Sequence, residues 1–104
     1  MLDKFLAYLQ KNYPCKYKIE LRQFKKATDR TLVAQIGFNG NVATIDIVHW
    51  NRSKNKKLHS LAHEYKHALD GPSKTKGPDC EREIAAEYFA EKVVLKFLKE
   101  VSNV

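Results

Sequence analysis

Between Lys56 and Asp70 the apolar residues Leu58, Leu61, Ala62, Tyr65, Ala68 and Leu69 recur at three- and four-residue steps. That spacing is one face of an α-helix, because 3.6 residues complete a turn. Gly71-Pro72 ends it: glycine suits the position just past a helix, and proline cannot continue one. Upstream, Ser53 or Asn55 is available as an N-cap. The segment therefore predicts a core-facing helix, and the rest of the chain must supply the surface that covers its apolar face.

The expected order is helix, three strands, helix, helix. Leu2, Phe5, Leu6 and Leu9 share one face of a first helix, Leu2 to Asn12, which Pro14 closes. From Tyr17 to Phe24 the pattern alternates, with Tyr17, Ile19 and Leu21 opposite Lys18, Glu20 and Arg22, as in a half-buried strand. A second strand is expected over Thr31 to Phe38 and a third over Val42 to Trp50, joined by Asn39-Gly40-Asn41, a hairpin signal. After the Ser73 to Pro78 loop, Asp79 is a good N-cap for a last helix from Cys80 to about Lys99. The fold class that follows is α+β, a single domain over residues 1–104 with a three-stranded, mainly antiparallel sheet.

Composition excludes several classes. No apolar run approaches the roughly 20 residues that cross a bilayer, and the N-terminus has no secretory signal pattern. A cytoplasmic protein is expected. Cys15 and Cys80 form no CxxC pair and read as reduced thiols. The net charge is +7, from 19 Lys and Arg against 12 Asp and Glu. The lysines look scattered, with one denser run from Arg52 to Lys57, so a solvated surface is favoured over specific nucleic-acid binding.

The chemistry lies on the predicted helix. His63 and His67 are four apart, so both imidazoles project from one side and can share a metal ion. Glu64 points roughly 100° around the helix, close enough to act on water at the metal without ligating it. Zinc is the expected ion and Glu64 the general base.

A catalytic zinc needs a third protein ligand. On the last helix Glu83, Ala86, Glu87, Ala90, Val94, Phe97 and Val101 fall on one face. The apolar part of that face must pack inward, and it is expected to draw both carboxylates towards the core, where an unpaired charge is costly. Glu83 is the preferred ligand. Glu87 is the alternative, or else a partner for a histidine's free N–H. Small Ala86 and Ala90 would let the two helices approach closely.

Other candidates are weaker. His59, four residues before His63, reads as rim, because three such positions span about 12 Å. His49 reads as structural, with lining the cleft as the alternative, and Asp70 as a helix-end residue that could reach a ligating histidine. Tyr13, Tyr65 and Tyr88 read as core or rim.

His63-Glu64-x-x-His67 followed by Glu83-x-x-Ala86-Glu87-x-Phe89-Ala90 resembles the gluzincins, whose zinc is held by the two motif histidines and a glutamate from a following helix. The Glu83-x-x-Ala86 spacing is similar to the E-x-x-A-D of membrane-embedded heat-shock and prenyl-protein proteases, with Glu87 in place of the aspartate. The Phe89-Ala90 ending looks more like the ImmA/IrrE family of bacterial and phage metallopeptidases. That family usually carries A-N-x-F-A where this chain has Ala86-Glu87-Tyr88-Phe89-Ala90, and the gap from His67 to Glu83 is short. The resemblance implies a minimal, zincin-like metallopeptidase of phage or mobile-element type, with His63, His67 and Glu83 as zinc ligands and Glu64 as base. Its substrate would be a protein, such as a repressor-type regulator.

The leading expectation is thus a soluble zinc endopeptidase. Val42 to Trp50 could offer an edge for an extended substrate, with the Arg52 to Lys57 run at one end of the cleft. One alternative is a DNA-associated, SprT-like protease, opposed by the absence of any His after His67. Another is a zinc-binding interaction module without catalysis.

Overall fold

A computed structural model of the chain describes residues 1–26, 33–50, 52–74 and 79–102. The elements run α1 (Leu2–Asn12), β1 (Lys18–Phe24), β2 (Ala34–Asn39), β3 (Val42–Val48), α2 (Lys54–Asp70) and α3 (Cys80–Ser102). Order and type match the expectation. Thr31 and Leu32, expected to open the second strand, lie outside the described residues, as does the later part of the Ser73–Pro78 loop. The third strand stops at Val48, short of Trp50, and the last helix runs past Lys99.

The helix ends follow local chemistry. Ser53 is the cap of α2: its hydroxyl accepts from the Lys56 N–H at 3.3 Å. Gly71, at φ 80°, ends that helix in a conformation that disfavours a side chain. Asp79 caps α3 by accepting from the Arg82 N–H at 3.2 Å. The hairpin turns on Gly40 and Asn41, with Asn39 paired to Val42 and Gly40 at φ 61°. Positive φ is the requirement the Asn-Gly signal reported.

The sheet departs from expectation. Its order is β1-β3-β2, with β2 antiparallel to β3 but β1 parallel to it. The sheet is mixed rather than mainly antiparallel. Alternation identifies the inward face of a strand but is the same for either direction of pairing. Here Leu21 lies beside Ile45, and Ile45 beside Ile36, so one apolar row crosses all three strands. On the opposite face, Arg22, Asp46 and Gln35 form a second cross-strand row. Asp46 is buried and takes 2.7 and 2.9 Å bonds from Arg22 and a 2.9 Å bond from Gln35.

The core lies between the inner sheet face and the helices. Ile45, Ile47, Leu58, Leu61, Ala62 and Tyr65 are fully buried, and α1 contributes Phe5 and Leu9. Each such large apolar side chain stabilises the fold by about 1.5–3 kcal/mol relative to exposure. Phe5 meets Phe97 of α3 with ring centroids 4.8 Å apart. The Tyr65 hydroxyl donates to the Tyr13 carbonyl at 2.6 Å, satisfying the polar end of a buried ring. Ala86 and Ala90 are fully buried, as a close approach of α3 to α2 requires. No helix among the described residues is long and apolar enough to cross a membrane.

Candidate metal centre

The apolar stripe turns one face of α2 to the core and leaves His59, His63 and His67 on its flank, facing α3. Close packing at Ala86 and Ala90 brings Glu83 and Glu87 opposite them. The result is a ladder in which each carboxylate spans two histidines. Glu83 lies 3.1 Å from His67 Nε2 and 2.9 Å from His63 Nε2. Glu87 lies 2.6 Å from His63 Nδ1 and 2.9 Å from His59 Nε2. The Glu87 oxygen sits off the His63 N–H direction, so Nδ1 is close to a charge but lacks an aligned hydrogen bond.

His63, His67 and Glu83 offer three donor atoms that can hold a metal ion. The two Nε2 atoms are 3.3 Å apart. Tetrahedral coordination with bonds of about 2.0–2.1 Å places ligand atoms about 3.3 Å from one another. The three observed separations, 2.9, 3.1 and 3.3 Å, are near that value. His59, His63 and Glu87 form a second group of suitable donors, but it draws on His63 through its other nitrogen.

Burial pushes the His67 pKa down, against the opposing pull of Glu83, and so favours the neutral imidazole that metals bind. Glu64 is buried beside the triangle, 3.9 Å from His63 Nε2. Its pKa is pushed up to about 7 by burial, with Glu83 adding to the rise and His63 opposing it. A bound cation would pull it back down. Partial desolvation raises Glu87, but its contacts with His59 and His63 outweigh that and leave it below the usual range.

The expectation of buried carboxylates is corrected. The side chains of Glu83 and Glu87 are 58% and 54% exposed, so the cost of burying a charge does not explain them. The buried part of the α3 face is Ala86, Ala90, Val94 and Phe97, and Val101 is exposed. Helix geometry alone, with Glu83 one turn before Glu87 on the side of α3 that faces α2, brings the carboxylates to the histidines.

Other residues fall elsewhere. Asp70 pairs with Lys66 at 2.7 Å rather than with a histidine. His49 lies between Gln23 and Lys57, at 2.7 and 3.1 Å, and lines a different recess. Tyr13 and Tyr65 are structural, and Tyr88 is exposed. Cys15 and Cys80 are free thiols, with Cys15 Sγ 3.5 Å from the Ala68 carbonyl.

The donors open into a cleft of about 480 Å³ lined by Val33 to Ile36 of the β2 side, His59, Ser60, Glu64 and the metal-type residues. The third strand is central, so it cannot be the edge that a substrate meets; β2 is the edge strand beside the cleft. Arg52 closes one end by donating to Ser60 Oγ at 2.6 Å and to the Val33 carbonyl at 3.2 Å. Sequence reading treated His59 as rim and missed its bond to Glu87. The signal was present: three histidines at four-residue steps on one helix answer two glutamates at the same step on the next.

Compared with protein-family profiles, curated proteins and solved structures, the chain matches none.

Proposed function

We propose that this protein is a zinc-dependent peptidase that hydrolyses peptide bonds of a protein substrate. The observation that carries the reading is the convergence of His63 Nε2, His67 Nε2 and a Glu83 carboxylate beside buried Glu64. Two imidazoles and one carboxylate fit zinc with one position left open. When bound, zinc supplies Lewis acidity and makes water a nucleophile at neutral pH.

The chain's own residues provide the rest. His63, His67 and Glu83 hold the ion. Glu87 faces His63 Nδ1 and can orient that ring, while His59 secures the other oxygen of Glu87. Glu64 accepts a proton from the attacking water and returns it to the departing amine nitrogen. An extended substrate pairs with the β2 edge near Val33 to Ile36, which sets its carbonyl against the centre.

The test is zinc content together with peptide cleavage by wild type and Glu64→Gln. The variant should bind zinc with near-unchanged affinity and lose cleavage by at least about 100-fold, the scale of a lost general base. Equal cleavage by both proteins would rule out the assigned role. Full zinc occupancy with no cleavage of a proteome-derived peptide library by the wild type would favour a zinc-binding interaction module.

A further inference from the structure

We infer that the end of the sheet remote from the Gly40 turn binds single-stranded nucleic acid. Residues 21–26 and 47–57 hold seven of the 19 Lys and Arg residues and none of the 12 Asp and Glu, so the rest of the chain carries 12 of each sign and no net charge. The whole excess of +7 comes from two short segments.

The fold joins them. Because β1 runs parallel to β3, Phe24 pairs with Val48 and the His49 N–H donates to the Phe24 carbonyl at 2.8 Å. Both strands thus deliver their basic continuations to one end of the sheet. Lys25, Lys26, Lys54 and Lys56 are exposed there. Arg22 is held by Asp46, and Arg52 by Val33, Lys56 and Ser60.

The same two segments carry two exposed rings. Trp50 is 54% exposed and Phe24 40%. The Arg22 guanidinium lies over Phe24, 5.6 Å from the ring centroid, which leaves Trp50 as the principal stacking surface. On the helix side of the same sheet end lies a recess of about 140 Å³, lined by Gln23, His49, Lys54 and Lys57 together with Met1, Leu2 and Leu58. Lys57 gives one of its three donors to His49. Lysines that track a phosphate backbone, beside rings that stack on bases, are the combination single strands require. A duplex hides its base faces from stacking, which favours a single strand.

Trp50 is the only tryptophan, so its fluorescence reports the event directly. The full chain is titrated with a fluorescein-labelled oligothymidylate of about 16 nucleotides, following anisotropy and Trp50 emission. Saturable binding with Trp50 quenching is expected, weakening with salt by a log–log slope of roughly −0.7 per phosphate contacted. Trp50→Ala should weaken binding on the order of 10- to 100-fold, the loss of one stacked base. Combined Lys25→Glu, Lys26→Glu and Lys54→Glu should abolish it, while Lys92→Glu, Lys96→Glu and Lys99→Glu on α3, with the same change in net charge, should retain it. Equal loss in both triple variants, binding without quenching, or no binding at low salt overturns the proposal. So does a blue shift with anionic phosphatidylserine vesicles in place of a response to the oligonucleotide. The metal centre takes no part, so zinc removal by a chelator should leave the affinity unchanged.

Discussion

Glu83 Oε2 stands 2.9 Å from His63 Nε2, although 20 residues separate the two in sequence. The other Glu83 oxygen stands 3.1 Å from His67, so a single carboxylate on α3 completes what the α2 motif begins. The contrast with Glu87, which faces the far nitrogen of His63, gives a ranked expectation. Glu83→Ala should weaken zinc binding more than Glu87→Ala, and the latter by about 10- to 100-fold, as when a ligand loses its orienting partner. Competition with a chromophoric chelator measures both. The reverse ranking would make Glu87 the ligand.

Metal should also stabilise the fold, because its donors come from two helices that unfolding separates. Zinc at about 1,000 times its Kd adds about 4 kcal/mol by mass action. Calorimetry should show Tm rising with free zinc and falling on chelation. A His63→Ala, His67→Ala variant should show neither response. A zinc-independent Tm in the wild type would contradict the ligand set.

Ala90 is fully buried within the α3 face that contacts α2. Ala90→Leu inserts three carbons into a packed seam, at a cost of about 1–3 kcal/mol. It should also part the helices and so weaken zinc binding beyond what stability alone explains. Denaturant melts of the apo protein, read beside zinc affinity, separate the two effects. Ala85→Leu, at a half-buried position one residue before Ala86, is the milder comparison.

Asp46 predicts the acid response. The Arg22 guanidinium bonded to its carboxylate holds its pKa below the usual aspartate value, against the opposing effect of burial, and Gln35 adds to the lowering. A carboxyl whose pKa is lower in the folded state stabilises it above the unfolded pKa of about 3.9. That contribution is lost as pH falls through the folded value. Urea midpoints of Asp46→Asn should therefore depend less on pH below about 4 than those of the wild type. Identical profiles would show that the Arg22–Asp46 pair has no net linkage.

Much of this could be read locally. The stripe from Leu58 to Leu69, the caps at Ser53 and Asp79, and the breaks at Gly71-Pro72 all have short-range causes. His63, Glu64 and His67 needed only the helix period to be grouped. Glu83 does lie beside the two histidines, but its carboxylate is exposed rather than drawn into the core, so the expected cause of that placement is not the one at work.

Sequence alone therefore determined the element order, the Gly40 hairpin and the two-histidine face of α2. Each of these depends on backbone preferences or side-chain period within about one or two turns of chain. Only the tertiary structure decided which way β1 runs beside β3 and how the α3 glutamates interleave with the α2 histidines. Pairing direction and helix register depend on contacts between distant residues. The same alternation at Ile19 and Leu21 would have served an antiparallel neighbour equally well. The parallel choice is what gathers the basic segments at one end of the sheet. The close approach at Ala86 and Ala90 is what brings two separate four-residue repeats together as His/Glu groups able to hold a metal ion.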